Sequence, residues 1–280
     1  MDARAHVRRT RRGRRDAGRR CRSAAGEAWQ ALSPVPAHLY SRPLTDSLPF
    51  PVQDVRKALR ASGIESLFPI QASVWKHMAG GTGTRHDLCV CAPTGSGKTL
   101  AYALPLVHFL APPCGDAPAR PAPGTPRPIR ALVVLPTRDL ARQVSRVLEP
   151  LFKAAGLALG VAAGGESLAQ EAGGLVMAGR GRVDAVVATP GRLVSHLRGT
   201  PGFSLSRLGF LVVDEADRLL RQSYQEWLPR VLAAAGRAHE DASGASLGVR
   251  AAVAAGERRV VKIVASATLT RDPSKIARLG

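Results

Sequence analysis

In the stretch APTGSGKT (92–99) a lysine is preceded by two glycines and a serine and followed by a threonine. A packed core gains nothing from that composition, but a phosphate does. Gly95 and Gly97 let the backbone turn tightly with its N–H groups pointing inward. Those groups and the start of a following helix make an anion-binding cup. Lys98 can reach the outer phosphates of a nucleotide, and the Thr99 hydroxyl can bind Mg2+. Ala92 stands where the general pattern has its first glycine. The bland alternative is a Gly/Ser turn that happens to precede a lysine. The apolar run before the stretch and the helical pattern after it favour the cup.

A second constellation is FLVVDEAD (210–217). Its four apolar residues put Asp214 at the end of a buried strand, on the sheet edge where such folds bind ligands. There Asp214 could hold Mg2+, partly through water, while Glu215 orients or deprotonates an attacking water. On their own, two acids before a helix could equally be caps. Beside the cup they fit better as the carboxylates that phosphoryl transfer needs at this topological place.

The elements that must position these residues follow from hydrophobic patterning. Short apolar runs at 87–92, 130–136, 157–163, 183–189, 208–214 and 260–266 predict strands, and because they do not alternate with polar residues the strands should be covered on both faces. Between or after them, 98–110, 138–155, 166–178, 191–197, 224–235 and 273–279 predict helices. Strand–helix alternation makes this an α/β protein: a mainly parallel sheet with helices on both faces and right-handed crossovers. Residues 1–45 are rich in Arg, Gly, Ala and Pro and are expected to be disordered. The globular domain is placed at 46–280, with loop insertions at 111–128 and 236–259.

Charge narrows the partners. The formal net charge is +19 and the isoelectric point about 11.3, which points to polyanions, nucleic acid first. Ten arginines against two aspartates in residues 1–22 leave the rest of the chain basic as well. This tail could be a nuclear or nucleolar address, a non-specific RNA anchor, or a solvated leader. Cys21, Cys89, Cys91 and Cys114 have neither metal-ligand nor disulfide-framework spacing, which fits a reducing compartment. The longest apolar stretch, 100–111, is too short to span a bilayer, so no membrane role is expected. No apolar segment at the N-terminus marks a secretory signal, and acids interrupt the basic run that a mitochondrial presequence would need.

Taken together, APTGSGKT followed by DEAD resembles the DEAD-box family of ATP-dependent RNA helicases. PTRDLARQV (136–144), GG (164–165), TPGR (189–192) and SAT (266–268) resemble further motifs of that family, in its order. Asp139 stands where the family usually has Glu. The resemblance covers roughly residues 63–280 and implies a RecA-like P-loop NTPase lobe with ATP and Mg2+ as cofactors and RNA as partner. It implies that Thr94, Gly95, Ser96, Gly97, Lys98 and Thr99 surround the phosphates. Thr99 and Asp214 would bind the metal, and Lys98, Asp214 and Glu215 would be catalytic. Pro136, Thr137, Arg138, Gly164, Gly165, Thr189, Gly191 and Arg192 would hold the RNA backbone, a task that positions a strand without reading its sequence. Asp217, Ser266 and Thr268 would couple nucleotide state to RNA binding. The GG pair could instead be a plain turn, and TPGR a helix start capped by Thr189 with Pro190 in its first turn.

The adenine-reading segment departs from the family. GIESLFPIQ (63–71) keeps Gly63, Ile70 and Gln71, with Phe68 in place of a hydroxyl residue. The Gln71 amide offers one donor and one acceptor to adenine; otherwise it would be a residue on a helix surface. The family's base-stacking aromatic falls near Asp46, with Phe50 offset from it, which implies relaxed base selectivity. TPGFSLSRLGFLVVDEADRLL, EWLPRVLAAA and SATLTRDPSKIARLG resemble the nucleolar branch that acts in large-subunit ribosome biogenesis, implying pre-rRNA as the RNA, the nucleolus as the location and a monomer. The family's second lobe, with its HRxGRxxR and ARGxD motifs and its arginine finger, is not found. The expectation is therefore a single lobe, a fragment with little activity alone. Two other readings remain: a non-catalytic ATP- and RNA-binding module, and another P-loop enzyme such as a kinase or a DNA-directed ATPase, which the ordered RNA-side motifs disfavour.

Overall fold

The computed structural model describes residues 6–10, 32–34, 42–43, 53–79, 86–111, 125–221, 226–236 and 260–268. Along the chain, strands β1 (His6–Thr10), β2 (Leu32–Pro34) and β3 (Arg42–Pro43) precede helix α1 (Gln53–Ala61), β4 (Ser66–Leu67) and α2 (Pro69–Ala79). Next come β5 (Asp87–Cys91), α3 (Lys98–Leu110), β6 (Ala131–Val134), α4 (Arg138–Ala154) and β7 (Leu159–Ala162). Then follow α5 (Leu168–Leu175), β8 (Val176–Met177), β9 (Arg180–Gly181), β10 (Ala185–Ala188) and α6 (Pro190–Gly199). The series closes with β11 (Phe210–Val213), α7 (Ala216–Arg221), α8 (Trp227–Gly236) and β12 (Val261–Ser266).

The sheet runs β2-β1-β5-β12-β11-β6-β10-β7, and its six strands from β5 to β7 are mutually parallel. All six expected apolar runs are in it, each trimmed by one to three residues. Both faces are apolar and sorted by the two-residue period of a strand. Val133, Val187, Val212 and Ile263 pack with Trp75, Leu104 and Phe152 from α2, α3 and α4. Leu132, Val134, Val186, Leu211 and Val213 pack with Leu193, Leu219 and Val231 from α6, α7 and α8. A sheet buried on both sides leaves only its strand ends for chemistry. The parallel register puts Cys91 beside Ser266 at one end of the edge and aligns Val213, Val134, Ala188 and Ala162 along the rest. The motifs from APTGSGKT to SAT lie at these strand ends, whereas GIESLFPIQ runs from the end of α1 into α2.

Three details differ from the patterning. Within 1–45, where disorder was expected, β1 and β2 pair antiparallel with each other, β1 pairs with β5, and β3 pairs with β4. Pairing on the free edge of β5 uses backbone groups, which any extended segment carries. The helix expected at 166–178 is shorter, because a hairpin of β8 and β9 begins directly after α5. Its turn residues Ala178 and Gly179 have φ of 50° and 71°, the pair of left-handed residues that a tight hairpin of this twist needs. Helices α1 and α2 were not anticipated. The helix expected at 273–279, Asp46, Phe50 and most of both loop insertions lie outside the described residues. No helix among the described residues is long and apolar enough to cross a membrane.

Candidate functional site

The ends of β5, β12 and β11 lie side by side, and the chain leaving β5 turns through Gly95 and Gly97, both at φ 83°. This region costs a residue with a side chain about 1–2 kcal/mol. At Gly97 space is short as well: a Cβ would lie 2.2 Å from Gln71 Nε2 and 2.9 Å from the Phe68 ring. Lys98 opens α3 and is buried, its Nζ donating to the carbonyls of Ala92 at 2.7 Å and Pro93 at 3.2 Å. The loop is therefore folded over its own lysine. Ser96 Oγ is buried without a hydrogen-bond partner. A stranded hydroxyl among left-handed glycines beside a buried ammonium is a donor set that suits phosphate oxygens.

Gln71 is buried, 4% exposed, rather than on a helix surface. Its Oε1 accepts from the Phe68 N–H at 2.8 Å, and its Nε2 donates to the Gly97 carbonyl at 3.2 Å. The amide expected to read adenine thus ties α2 to the glycine loop before α3. Phe68, on the same turn, is 53% exposed.

Asp214 follows β11 and is 5% exposed. Its Oδ1 accepts from the Glu215 N–H at 2.8 Å, and its Oδ2 accepts from the Tyr102 hydroxyl at 2.9 Å. Burial pushes its carboxyl above the usual range, while these two hydrogen bonds and the Lys98 charge act the other way. Tyr102 is fully enclosed, and burial followed by the Asp214 charge pushes its phenol well above 10. Glu215 sits at φ 51°, a left-handed conformation that turns the chain between β11 and α7. Two residues later, Asp217 accepts from Ser266 Oγ at 3.0 Å and Thr268 Oγ1 at 3.3 Å. The three residues expected to couple the two ligands thus form one hydrogen-bonded group across the ends of β11 and β12. Among the described residues, no group of three or more His, Cys, Asp or Glu could hold a metal by itself. A Mg2+ here would share Thr99 and Asp214 with nucleotide phosphates, as this ion commonly does.

The other half of the edge, at β6, β10 and β7, gathers the residues expected to hold RNA. Thr137 caps α4 by accepting from the Leu140 N–H. Gly164 and Gly165 have φ of 86° and 109°. Arginines lie over both: a Cβ at Gly164 would be 3.2 Å from Arg138 Nε, and one at Gly165 would be 2.8 Å from the Arg142 guanidinium. Thr189 precedes α6, with Pro190 in the first turn, but its hydroxyl donates to the Ala163 carbonyl at 3.2 Å rather than capping the helix. A Cβ at Gly191 would meet open space.

Glu171, on α5, joins these pieces. Its Oε1 accepts from the Gly164 N–H at 2.7 Å, and its Oε2 meets Arg192 Nε at 2.6 Å and His196 Nε2 at 3.1 Å. Arg192 also donates to the Glu166 carbonyl. His196 is fully buried, with Nδ1 2.8 Å from Thr200 Oγ1. Sequence reasoning did not find Glu171, Arg142, His196 or Tyr102. For Tyr102 a signal existed: it stands three residues after Thr99, on the same face of an otherwise apolar helix. For Glu171 the partner Arg192 is 21 positions away, and no periodicity links the two.

Residues 68–276 match the DEAD/DEAH box helicase family. The chain is 43% identical over 268 residues to DEAD-box ATP-dependent RNA helicase 1 of Arabidopsis thaliana, covering 84% of this chain and 49% of that protein. It is 43% identical over 249 residues to the ATP-dependent RNA helicase DDX51 of Homo sapiens, covering 81% and 36%. It is 40% identical over 234 residues to the ATP-dependent RNA helicase dbp6 of Aspergillus niger, covering 80% and 37%. The chain therefore spans less than half the length of these relatives. Its fold is similar to that of a DEAD box protein from Methanococcus jannaschii, with TM-score 0.61 at 22% identity over 85% of this chain and 53% of that one. It is likewise similar to the yeast splicing factor Prp28, with TM-score 0.62 at 24% identity over 85% and 50%.

Proposed function

The chain belongs to the DEAD/DEAH box helicase family, and from that premise we propose that it is the ATP-binding, RecA-like lobe of an ATP-dependent RNA helicase. The observation that carries this reading is the meeting of a buried lysine, two left-handed glycines and a stranded serine hydroxyl with a buried aspartate at neighbouring strand ends.

On this reading Lys98 exchanges the carbonyls of Ala92 and Pro93 for phosphate oxygens, and Ser96 and the loop amides bind the rest. Bound Mg2+, held through Thr99 and Asp214, supplies charge neutralisation on the outer phosphates. Glu215 orients the attacking water and takes its proton. Gln71 exchanges its bonds to Phe68 and Gly97 for the adenine edge. Asp217, Ser266 and Thr268 pass the state of this site to the neighbouring strand ends. There Pro136, Thr137, Arg138, Gly164, Gly165, Thr189, Gly191 and Arg192 hold an RNA backbone by charge and close approach. A second lobe of the same fold supplies the remaining half of the groove and an arginine worth about 1000-fold or more in turnover. The resemblance of 200–220 and 266–280 to the nucleolar branch supports pre-rRNA as the RNA and ribosome biogenesis in the nucleolus as the setting.

The test is nucleotide binding by Lys98→Ala, followed by RNA-stimulated ATP turnover with a second lobe added. Lost binding in the variant, with turnover restored to the unmodified chain, supports the reading. Binding without turnover in the reconstituted pair would favour a non-catalytic ATP- and RNA-binding module instead. That alternative draws on the loop's internal bonds, which engage both Lys98 and Gln71.

A further inference from the structure

Tyr102 is a fully enclosed side chain in the most apolar stretch of α3, where a phenylalanine would fill nearly the same space. A buried hydroxyl costs stability unless it is hydrogen-bonded, and the partner of this one is a functional candidate. It donates to Asp214 Oδ2 at 2.9 Å, and on α3 it stands one turn after Thr99. Thr99 and Asp214 lie on different elements, 115 positions apart in the chain. The other carboxylate oxygen, Oδ1, is fixed by the Glu215 N–H at 2.8 Å. Both oxygens of Asp214 are thus oriented by neutral donors, which leaves the carboxylate its charge and each oxygen a further lone pair.

Resting on the nucleotide-site reading above, we infer that Tyr102 is the positioning residue for Mg2+: its hydroxyl sets the placement of Asp214 against Thr99 and so tunes affinity for the metal–nucleotide complex. It acts through Asp214 and need not touch nucleotide. Groups that hydrogen-bond a ligating carboxylate typically change metal affinity about 10–100-fold when removed.

The experiment uses the full chain and a fluorescent ATP analogue titrated at a series of Mg2+ concentrations, and again in EDTA. Tyr102→Phe is expected to raise the Mg2+ needed for half-maximal binding about 10-fold or more, with affinity in EDTA unchanged. Mn2+ binding in the presence of ATP, followed by electron paramagnetic resonance, should weaken in parallel. In an Asp214→Asn background the same substitution should add nothing. An unchanged Mg2+ dependence overturns the inference. So does an equal loss of affinity with and without metal, which is what damaged packing would give. If the unmodified chain binds the analogue without any response to Mg2+, the reading of Thr99 and Asp214 as metal ligands falls, and this inference with it.

Discussion

Two buried carboxylates stand on the same sheet edge in opposite electrostatic settings. Glu171 lies among cations and donors: Arg192 at 2.6 Å, His196 at 3.1 Å and the Gly164 amide at 2.7 Å. Among the described residues Asp214 hydrogen-bonds a phenol and one amide, while the nearby Lys98 ammonium donates to two carbonyls. The groove side is therefore assembled and neutralised in advance. The side at β5 and β11 keeps an under-compensated charge and a self-occupied lysine, both of which the proposed metal–nucleotide complex would relieve. One sheet edge can thus combine a half whose charges are paired with a half whose charges are not, and substitutions should separate the two.

The largest effect is expected at the supporting carboxylate. Glu171→Ala removes the counter-charge of Arg192 and the acceptor of the Gly164 amide, and breaking a buried ion pair from one side costs about 3–5 kcal/mol. Denaturant melts should show that loss, and the surviving folded protein should bind single-stranded RNA more weakly but nucleotide normally. Next is Lys98→Ala. Losing a charge-assisted contact to phosphate costs about 1.5–3 kcal/mol, roughly 10- to 100-fold in nucleotide affinity by titration calorimetry, with little change in RNA binding.

The sharpest contrast comes from Asp214→Asn. With its Oδ1 accepting from the Glu215 N–H and its Nδ2 donating to the Tyr102 oxygen, which can accept as well as donate, the asparagine removes the under-compensated charge and should stabilise the metal-free chain by about 1 kcal/mol, or roughly 2–4 °C in Tm for a domain of this size. The same variant should lose its response to Mg2+. A fall in Tm instead would mean that Asp214 is as well satisfied as Glu171, and the comparison would fail. The smallest effect is at His108, packed edge-on to Trp75 and Phe109 away from both carboxylates. Burial holds its imidazole below the usual histidine range. The fold therefore favours the neutral ring, and its contribution is complete above the ordinary value of about 6.5 and fades as pH falls below it. His108→Gln should flatten that part of the stability–pH curve, by less than about 1 kcal/mol once solvent screening is allowed for.

The sequence was most informative where chemistry and local structure coincide. The six apolar runs place the motifs from APTGSGKT to SAT at strand ends, and helix α3 occupies 98–110 as its pattern predicts. Lys98 and Asp214 were legible because each stands in a short string with its own geometric demand. What was missed depends on contacts across the chain. Tyr102 reads as core until Asp214 is seen 112 positions later. Glu171 reads as an ordinary helix acid until α5 packs beside α6. The helix expected at 166–178 stops at Leu175, because Val176 takes up extended backbone at φ −135° and leads into the hairpin that turns at Ala178 and Gly179. Strand β1 was hidden in an arginine-rich segment because edge pairing depends on backbone groups that composition does not display.

The most direct test is a crystal structure of the full chain with a non-hydrolysable ATP analogue and Mg2+. Lys98 Nζ should then be withdrawn from Ala92 and Pro93 onto phosphate, with Ser96 Oγ partnered and the metal between Thr99 and Asp214. Nucleotide bound elsewhere, with Lys98 still on its own carbonyls, would contradict the nucleotide-site reading.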